Sequence, residues 1–426
     1  MHHNNLNINL KHVKPSATLV INELSSKLKS EGMDVFRLGF GQSPFPVPEH
    51  IVEALKKNAH QKDYLPVKGL FALREAIASF FNRKYHLPTS ADDIMVGPGS
   101  KELIYNFQVA YVIEELLLPS PSWVSYEPQA QLNNHKVVWI STEEKNNWKI
   151  KPEDIINHCK KEPNKKRTII LNYPSNPIGI TYTHNELKEL AAIFKQFNII
   201  AIADEIYGEV NFDGTHQTIA NYYPEGTIIS TGLSKWAGAG GWRLGVFVFP
   251  KNLRYVLDAM SIIASETYTS TSAPIQYAAV EAYKENKATE LYLKNSRKIL
   301  KVVGLYVFKN LKRFGVTMPE PEGGFYLFPN FNKWKSSLNK KGILTSKDFC
   351  NAILKETGVA LLPGEAFGHP KENFTARLSY VDFDGKALLQ ILEKHPDLCV
   401  DDEFVKQHCP RIVLAVKKIE AWILSI

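Results

Sequence analysis

The feature that most constrains this chain is a set of short, uninterrupted apolar runs at residues 168–172, 199–203, 227–231 and 244–249. Between the first two lies a helical stretch, residues 187–197, with Leu187, Leu190, Ile193 and Phe194 at the spacing of one helix face. A strand that is apolar on both sides must be covered on both faces. Strands of that kind separated by helices predict an α/β fold with a mostly parallel sheet between helical layers. In such sheets ligands bind beyond the carboxyl ends of the strands. Those ends here carry polar groups: Asn172, Asp204, and Ser234 with Lys235.

The flanks read differently. Residues near 10–48 predict a helix and then the turn Gly41-Gln42-Ser43-Pro44-Phe45-Pro46-Val47-Pro48. From about residue 300 onward follow a long helix, a short apolar strand Gly324-Phe325-Tyr326-Leu327-Phe328, and a strand ending in Arg377-Leu378-Ser379-Tyr380. A length of 426 residues suits two domains. We expect a large domain over residues 49–299 and a smaller α+β domain from residues 1–48 and 300–426.

Several function classes are set aside. With 44% hydrophobic and 22% charged residues and no apolar run long enough for a bilayer, the chain is expected to be globular, without a membrane partner. The polar residues 1–7 lack a signal-peptide core, so a cytoplasmic protein is expected. Cys159, Cys350, Cys399 and Cys409 form no C-x-x-C, and the histidines show no ligand spacing, so no metal is expected. The net charge of +7 lies partly in Lys160-Lys161-Glu162-Pro163-Asn164-Lys165-Lys166-Arg167, which reads as a solvated turn rather than a nucleic-acid patch. A mildly basic balance suits a small anionic substrate.

Lys235 lies in Ser230-Thr231-Gly232-Leu233-Ser234-Lys235-Trp236-Ala237-Gly238-Ala239-Gly240-Gly241-Trp242-Arg243-Leu244-Gly245. A lysine at the end of a buried strand is poorly solvated, which lowers its pKa and makes it a nucleophile toward aldehydes. Arg243, between glycines, suits a phosphate. A P-loop would place its lysine after the glycines, and a dinucleotide fingerprint needs a third glycine where Arg243 stands. Aldehyde and phosphate together suggest pyridoxal phosphate (PLP). On these residues alone, a surface lysine in a glycine loop is an equal alternative.

Other groups fit the same cofactor. Asp204 could pair with a protonated ring nitrogen and Tyr207 with the ring oxygen, although an N-cap is the commoner use of such an aspartate. Asn172-Tyr173-Pro174-Ser175-Asn176-Pro177-Ile178-Gly179 is a proline-fixed turn, an Asx turn at least, whose Asn176 could reach the cofactor oxygen. Gly99, Ser100 and Lys101 open a helix whose backbone N–H groups suit a phosphate, or Ser100 simply caps it. Trp123 could stack on a ring or be core. Arg377 could grip a carboxylate in two-pronged fashion or make a structural ion pair.

Taken together, N-x-P-x-N-P-x-G, D-x-x-Y, S-K followed by G-x-R-x-G, and a late R-L-S-Y resemble, in order and spacing, the class I/II aminotransferases of PLP fold type I, over roughly residues 12–385. The resemblance implies a large domain with a seven-stranded, mostly parallel sheet. It implies that Lys235 holds the cofactor covalently, that Asp204 pairs with the ring nitrogen, and that Tyr207 and Asn176 meet the ring oxygen. Gly99, Ser100, Lys101, Ser234 and Arg243 would form the phosphate cup, and Trp123 the stacking ring. Tyr64 would reach the phosphate of a neighbouring subunit, implying a homodimer with shared sites. Gly41, Arg377, Asn176 and Trp123 would surround the substrate.

The implied reaction moves an amino group from an L-amino acid to a 2-oxo acid in two half-reactions. Lys14-Pro15-Ser16-Ala17-Thr18 and Gly99-Ser100-Lys101 resemble the bacterial aspartate aminotransferases, which makes aspartate with 2-oxoglutarate the expected pair. Alanine, aromatic or branched-chain specificity, or a C–S lyase of the same fold, are the alternatives. A PLP-binding transcription regulator would need a DNA-binding domain ahead of the first motif. Three departures stand out. Gly232 replaces a hydroxyl residue three before the lysine, Gln42-Ser43 alters charge at the entrance, and residues 384–410 lengthen the link to a last helix at 411–423.

Overall fold

A computed structural model describes residues 8–10, 13 and 16–426. The readings placed on residues 1–7, on Lys14 and Pro15, and on the expected helix at residues 11 and 12 lie outside the described residues.

Among the described residues seven strands form the main sheet: β1 (Ile94–Gly97), β2 (Glu115–Ser120), β3 (Val137–Ser141), β4 (Arg167–Asn172), β5 (Ile200–Asp204), β6 (Thr227–Gly232) and β7 (Gly245–Val248). Their order is β1-β7-β6-β5-β4-β2-β3. The neighbours from β6 to β3 run parallel, as expected. β7 runs antiparallel to both β6 and β1, which the apolar pattern did not foretell. A parallel return needs a crossover of a dozen or more residues, usually helical. The loop between Gly232 and Gly245 contains no α-helix, so the chain doubles back.

The apolar runs serve both faces by the two-residue period of a strand. Ile170, Ile202 and Ile228 enter one core with Leu103, Phe107 and Leu257. Ile169, Leu171, Ala201 and Ala203 enter another with Leu187, Leu190 and Phe194. These last three belong to the helix His184–Gln196, whose start is fixed by Thr183 and Glu186 in reciprocal capping bonds. In register, Asn172 lies beside Asp204 and Asp204 beside Ser230, so the polar strand ends share one level.

A second sheet, antiparallel, has the order β8 (Tyr326–Leu327), β10 (Ala376–Ser379), β9 (Leu362–Pro363). The N-terminal segment joins it: Phe36 N donates to Gly358 O at 2.9 Å and Ser379 N to Leu38 O at 2.7 Å. The helix Lys287–Arg313 spans 27 residues, so the division expected between 299 and 300 falls inside it. Residues 384–410 are not a bare link. They hold the helices Gly385–Lys394 and Asp402–His408, capped by Asp384 and Asp401. Leu388, Leu392, Phe404, Val405 and Cys409 are buried there, the first helix packing on Lys287–Arg313 and the second on that helix and on the last one, Pro410–Leu424, so the added length builds core.

Candidate active site

A cleft of about 620 Å³ opens at the carboxyl ends of β4, β5 and β6. Gly41, Ser100, Lys101, Trp123, Asn176, Asp204, Tyr207, Ser234, Lys235, Arg243 and Arg377, far apart in sequence, all line it. Gly99 stands one residue behind Ser100, against Arg243. Tyr64 does not line this cleft; it is 90% exposed on the loop between the helices Glu49–Asn58 and Phe71–Tyr85.

Lys235 follows the end of β6, and its Nζ donates to the Gly41 carbonyl at 2.6 Å. The rings of Tyr207 and Phe325 flank the amine at 5.5 and 5.8 Å. Desolvation in the cleft, helped by the nearby Arg377 charge, lowers its pKa to about 8. A lysine so placed is a neutral nucleophile far more often than one in water.

Asp204 is buried at the end of β5 and caps no helix: the next element is the short turn Gly208–Val210. Burial pushes its pKa up to about 6, against the opposing pull of the Tyr126 hydroxyl, which donates to Oδ2 at 2.5 Å. The Ile206 N–H and the Ser230 hydroxyl pull the same way as Tyr126, and among the described residues Oδ1 has no partner in good hydrogen-bond geometry. A buried, half-satisfied carboxylate is costly unless a donor or cation meets it.

The helix Ser100–Ala110 begins at Gly99, whose φ of 97° lies in the left-handed region. A Cβ on Gly99 would stand 2.3 Å from Arg243 Nη2, and one on Gly245 would stand 2.2 Å from Ser100 N. Both glycines are therefore set by close approach: they let Arg243 and β7 close onto a helix N-terminus. Arg243 spends its donors on carbonyls, Gly240 O at 2.9 Å and Pro98 O at 3.4 Å, which leaves its charge for an anion. Lys101 Nζ sits 5.0 Å from the centre of the Trp123 ring.

Arg377, on β10, is buried, 2% exposed, without a carboxylate partner among the described residues. It donates to Asn176 Oδ1 at 3.2 Å and Gly39 O at 2.8 Å, lies over the Tyr326 ring at 4.7 Å, and keeps Nε unpaired. The structural ion pair weighed from sequence is absent. A buried guanidinium without a counter-ion has the charge and free donor capacity to take an anion.

Sequence reasoning assigned no role to two contributors, Tyr126 and Tyr326, and marked a third, Asn172, only as a polar strand end. Tyr126 bonds Asp204. Asn172 donates to the Asp204 carbonyl at 2.7 Å and accepts from Asn176 N at 2.7 Å. Tyr326 bonds the Tyr207 hydroxyl at 2.8 Å. The position of Tyr126, three residues after Trp123, carried no signal by itself; Tyr326 was legible only as a strand residue.

Gly232 has a steric reason. It pairs with Gly245, and a Cβ there would stand 2.5 Å from Leu244 O and 3.1 Å from Gly245 Cα. A hydroxyl side chain cannot be added without moving β7. Gly232→Ser should lower unfolding stability by about 1–3 kcal/mol in urea denaturation, with no gain in cofactor affinity. Tighter cofactor binding at unchanged stability would show this reasoning to be mistaken.

A lysine, an aspartate and two arginines converge in one cleft at the carboxyl edge of a mostly parallel seven-stranded sheet, a charge pattern that suits an anionic ligand. The chain belongs to the aminotransferase class I and II family, which it matches over residues 33–385; it is a transaminase. It is 35% identical to the aspartate aminotransferase of Geobacillus stearothermophilus, over 86% of this chain and 92% of that one. It is 33% identical to an asparagine–oxo-acid transaminase of Streptococcus mutans, over 86% and 92%. The solved structure of the Thermus thermophilus aspartate aminotransferase with maleate superposes with a TM-score of 0.83 at 25% identity, covering 98% and 99% of the two chains.

Proposed function

We propose that this transaminase uses PLP, takes aspartate as amino donor and 2-oxoglutarate as acceptor, and works as a homodimer by a ping-pong mechanism. The observation that carries the substrate reading is Arg377, a buried cation without a counter-ion on one side of the cleft, with Lys101 a second cation on its wall. Two cations favour a dicarboxylate by charge pairing.

The residues fit PLP. The unpaired Asp204 Oδ1 suits a protonated ring nitrogen, and the Gly99–Arg243 cradle at a helix N-terminus suits the phosphate. Tyr207 and Asn176, both on the cleft wall, would hold the ring oxygen, and Trp123 would stack on the ring. When bound, PLP supplies an electrophilic carbon and a ring that accepts the electrons released at the substrate Cα. Arg377 and Asn176 orient the α-carboxylate. Lys235 Nζ, released from the Gly41 carbonyl, would be the base that takes the Cα proton and holds it for return. The negative charge of Asp204 would hold a proton on the ring nitrogen. Tyr64, so exposed in one chain, would complete the phosphate site of a second.

The side chains of Ser16, Thr18 and Asn22 line the outer cleft. The Asn22 amide on the cleft wall suits a substrate carboxamide and makes asparagine the second reading. A panel of Asp, Glu, Asn, Ala, Phe and Leu decides. We expect kcat/KM for Asp to exceed that for Ala and Leu by at least about tenfold, and Lys101→Ala to lower the Asp-to-Ala ratio by roughly tenfold. A panel without preference for Asp, Glu or Asn would remove the dicarboxylate reading.

The lowered pKa of Lys235 sets a pH dependence. Only the neutral amine attacks an aldehyde, and its fraction rises with pH until the pKa is passed. Covalent attachment of added PLP to cofactor-free protein should therefore accelerate about tenfold per pH unit below pH 8 and level off above it. A rate still climbing steeply at pH 10, as for a solvated lysine, would contradict the desolvated site.

A further inference from the structure

Tyr326 occupies the junction of the three groups just described. Its hydroxyl lies 2.8 Å from the Tyr207 hydroxyl, and the two rings meet edge to face at 5.5 Å. The Arg377 guanidinium rests over its ring at 4.7 Å. A Cβ on Gly41 would stand 2.6 Å from the Tyr326 hydroxyl, so the Gly41 backbone closes that side, and the carbonyl of the same residue receives Lys235 Nζ. Tyr326 is 1% exposed, and among the described residues its hydroxyl has the Tyr207 hydroxyl as its hydrogen-bond partner.

We propose that Tyr326 is a positioning residue that fixes the proton of Tyr207 toward the cofactor's ring oxygen. The inference rests on the reading that Tyr207 meets that oxygen. Two phenols share one contact, so one must donate and the other accept. If Tyr207 donates to Tyr326, it has no proton left for the cofactor. If Tyr326 donates to the Tyr207 oxygen, the Tyr207 O–H is free to donate onward and is polarised to do so more strongly. The charged groups facing the pair are Arg377, Lys235 and Asp204, and burial keeps both phenols protonated at neutral pH. Arg377 over the Tyr326 ring also ties this proton to the place where the substrate carboxylate binds.

A strong Tyr207 bond stabilises the ring oxygen as an anion and lowers the pH midpoint at which the bound cofactor changes its absorbance. Tyr326→Phe keeps the ring and its packing but removes the donated proton. In the PLP-loaded enzyme this midpoint should rise by about 0.2–0.6 pH unit. Tyr207→Phe should raise it further, and the double variant should show no more than Tyr207→Phe alone, because the second hydroxyl acts through the first. A midpoint unchanged by Tyr326→Phe while Tyr207→Phe moves it, or additive shifts in the double variant, would overturn the proposal. A midpoint unmoved by Tyr207→Phe would instead overturn the reading of Tyr207 on which it rests.

Discussion

Lys235→Ala is expected to lower kcat by at least about a thousandfold with every donor and acceptor pair. In the proposed mechanism this residue does two things, attaching the cofactor and moving the Cα proton, and none of the described neighbours is placed to do both. Lys101, the other amine on the cleft wall, sits over Trp123 rather than against Gly41. The variant should fold normally. The amine makes one hydrogen bond, to Gly41, and removing a desolvated cation relieves a cost, so thermal unfolding should shift little. Steady-state rates with Asp and 2-oxoglutarate, beside a melting curve, check both points. A folded variant retaining more than a tenth of the activity would end the catalytic assignment.

Asp204→Asn is expected to be nearly as severe, with a loss of roughly a hundred- to several-thousandfold in kcat. The amide keeps the shape and can still accept from Tyr126, but it brings no charge to hold a proton on the ring nitrogen. Breaking one member of a buried charged pair costs far more than deleting a neutral bond. Tyr126→Phe is the control. It leaves the charge and removes one hydrogen bond to Oδ2, so a loss of only about tenfold is expected. Equal losses in the two variants would mean that geometry, not charge, is what Asp204 contributes.

The parallel core of the sheet was legible because fully apolar runs fit little else, and the polar residues that end them pointed to the cleft. The reversal of β7 was not legible. Its apolar pattern is the same in either direction, and direction was set by the lack of a helix in the preceding loop. Gly232 shows the same limit: the sequence displays an absent hydroxyl, and only the approach of Leu244 O explains it. Asn176, Asp204, Lys235, Arg243 and Arg377 could be found because each sits in a short motif. Tyr126 and Tyr326 could not, because their partners lie 78 and 119 positions away. The segment 384–410 looked like an excess because its two helices bury residues against distant elements.

Borohydride reduction tests Lys235 as the covalent anchor most directly. The purified protein is loaded with PLP, reduced, digested and mapped by mass spectrometry. The phosphopyridoxyl mass is predicted on the peptide carrying Lys235, and its appearance there should be blocked in Lys235→Ala. A label on Lys101 or another lysine, with the Lys235 peptide unmodified, would contradict the account.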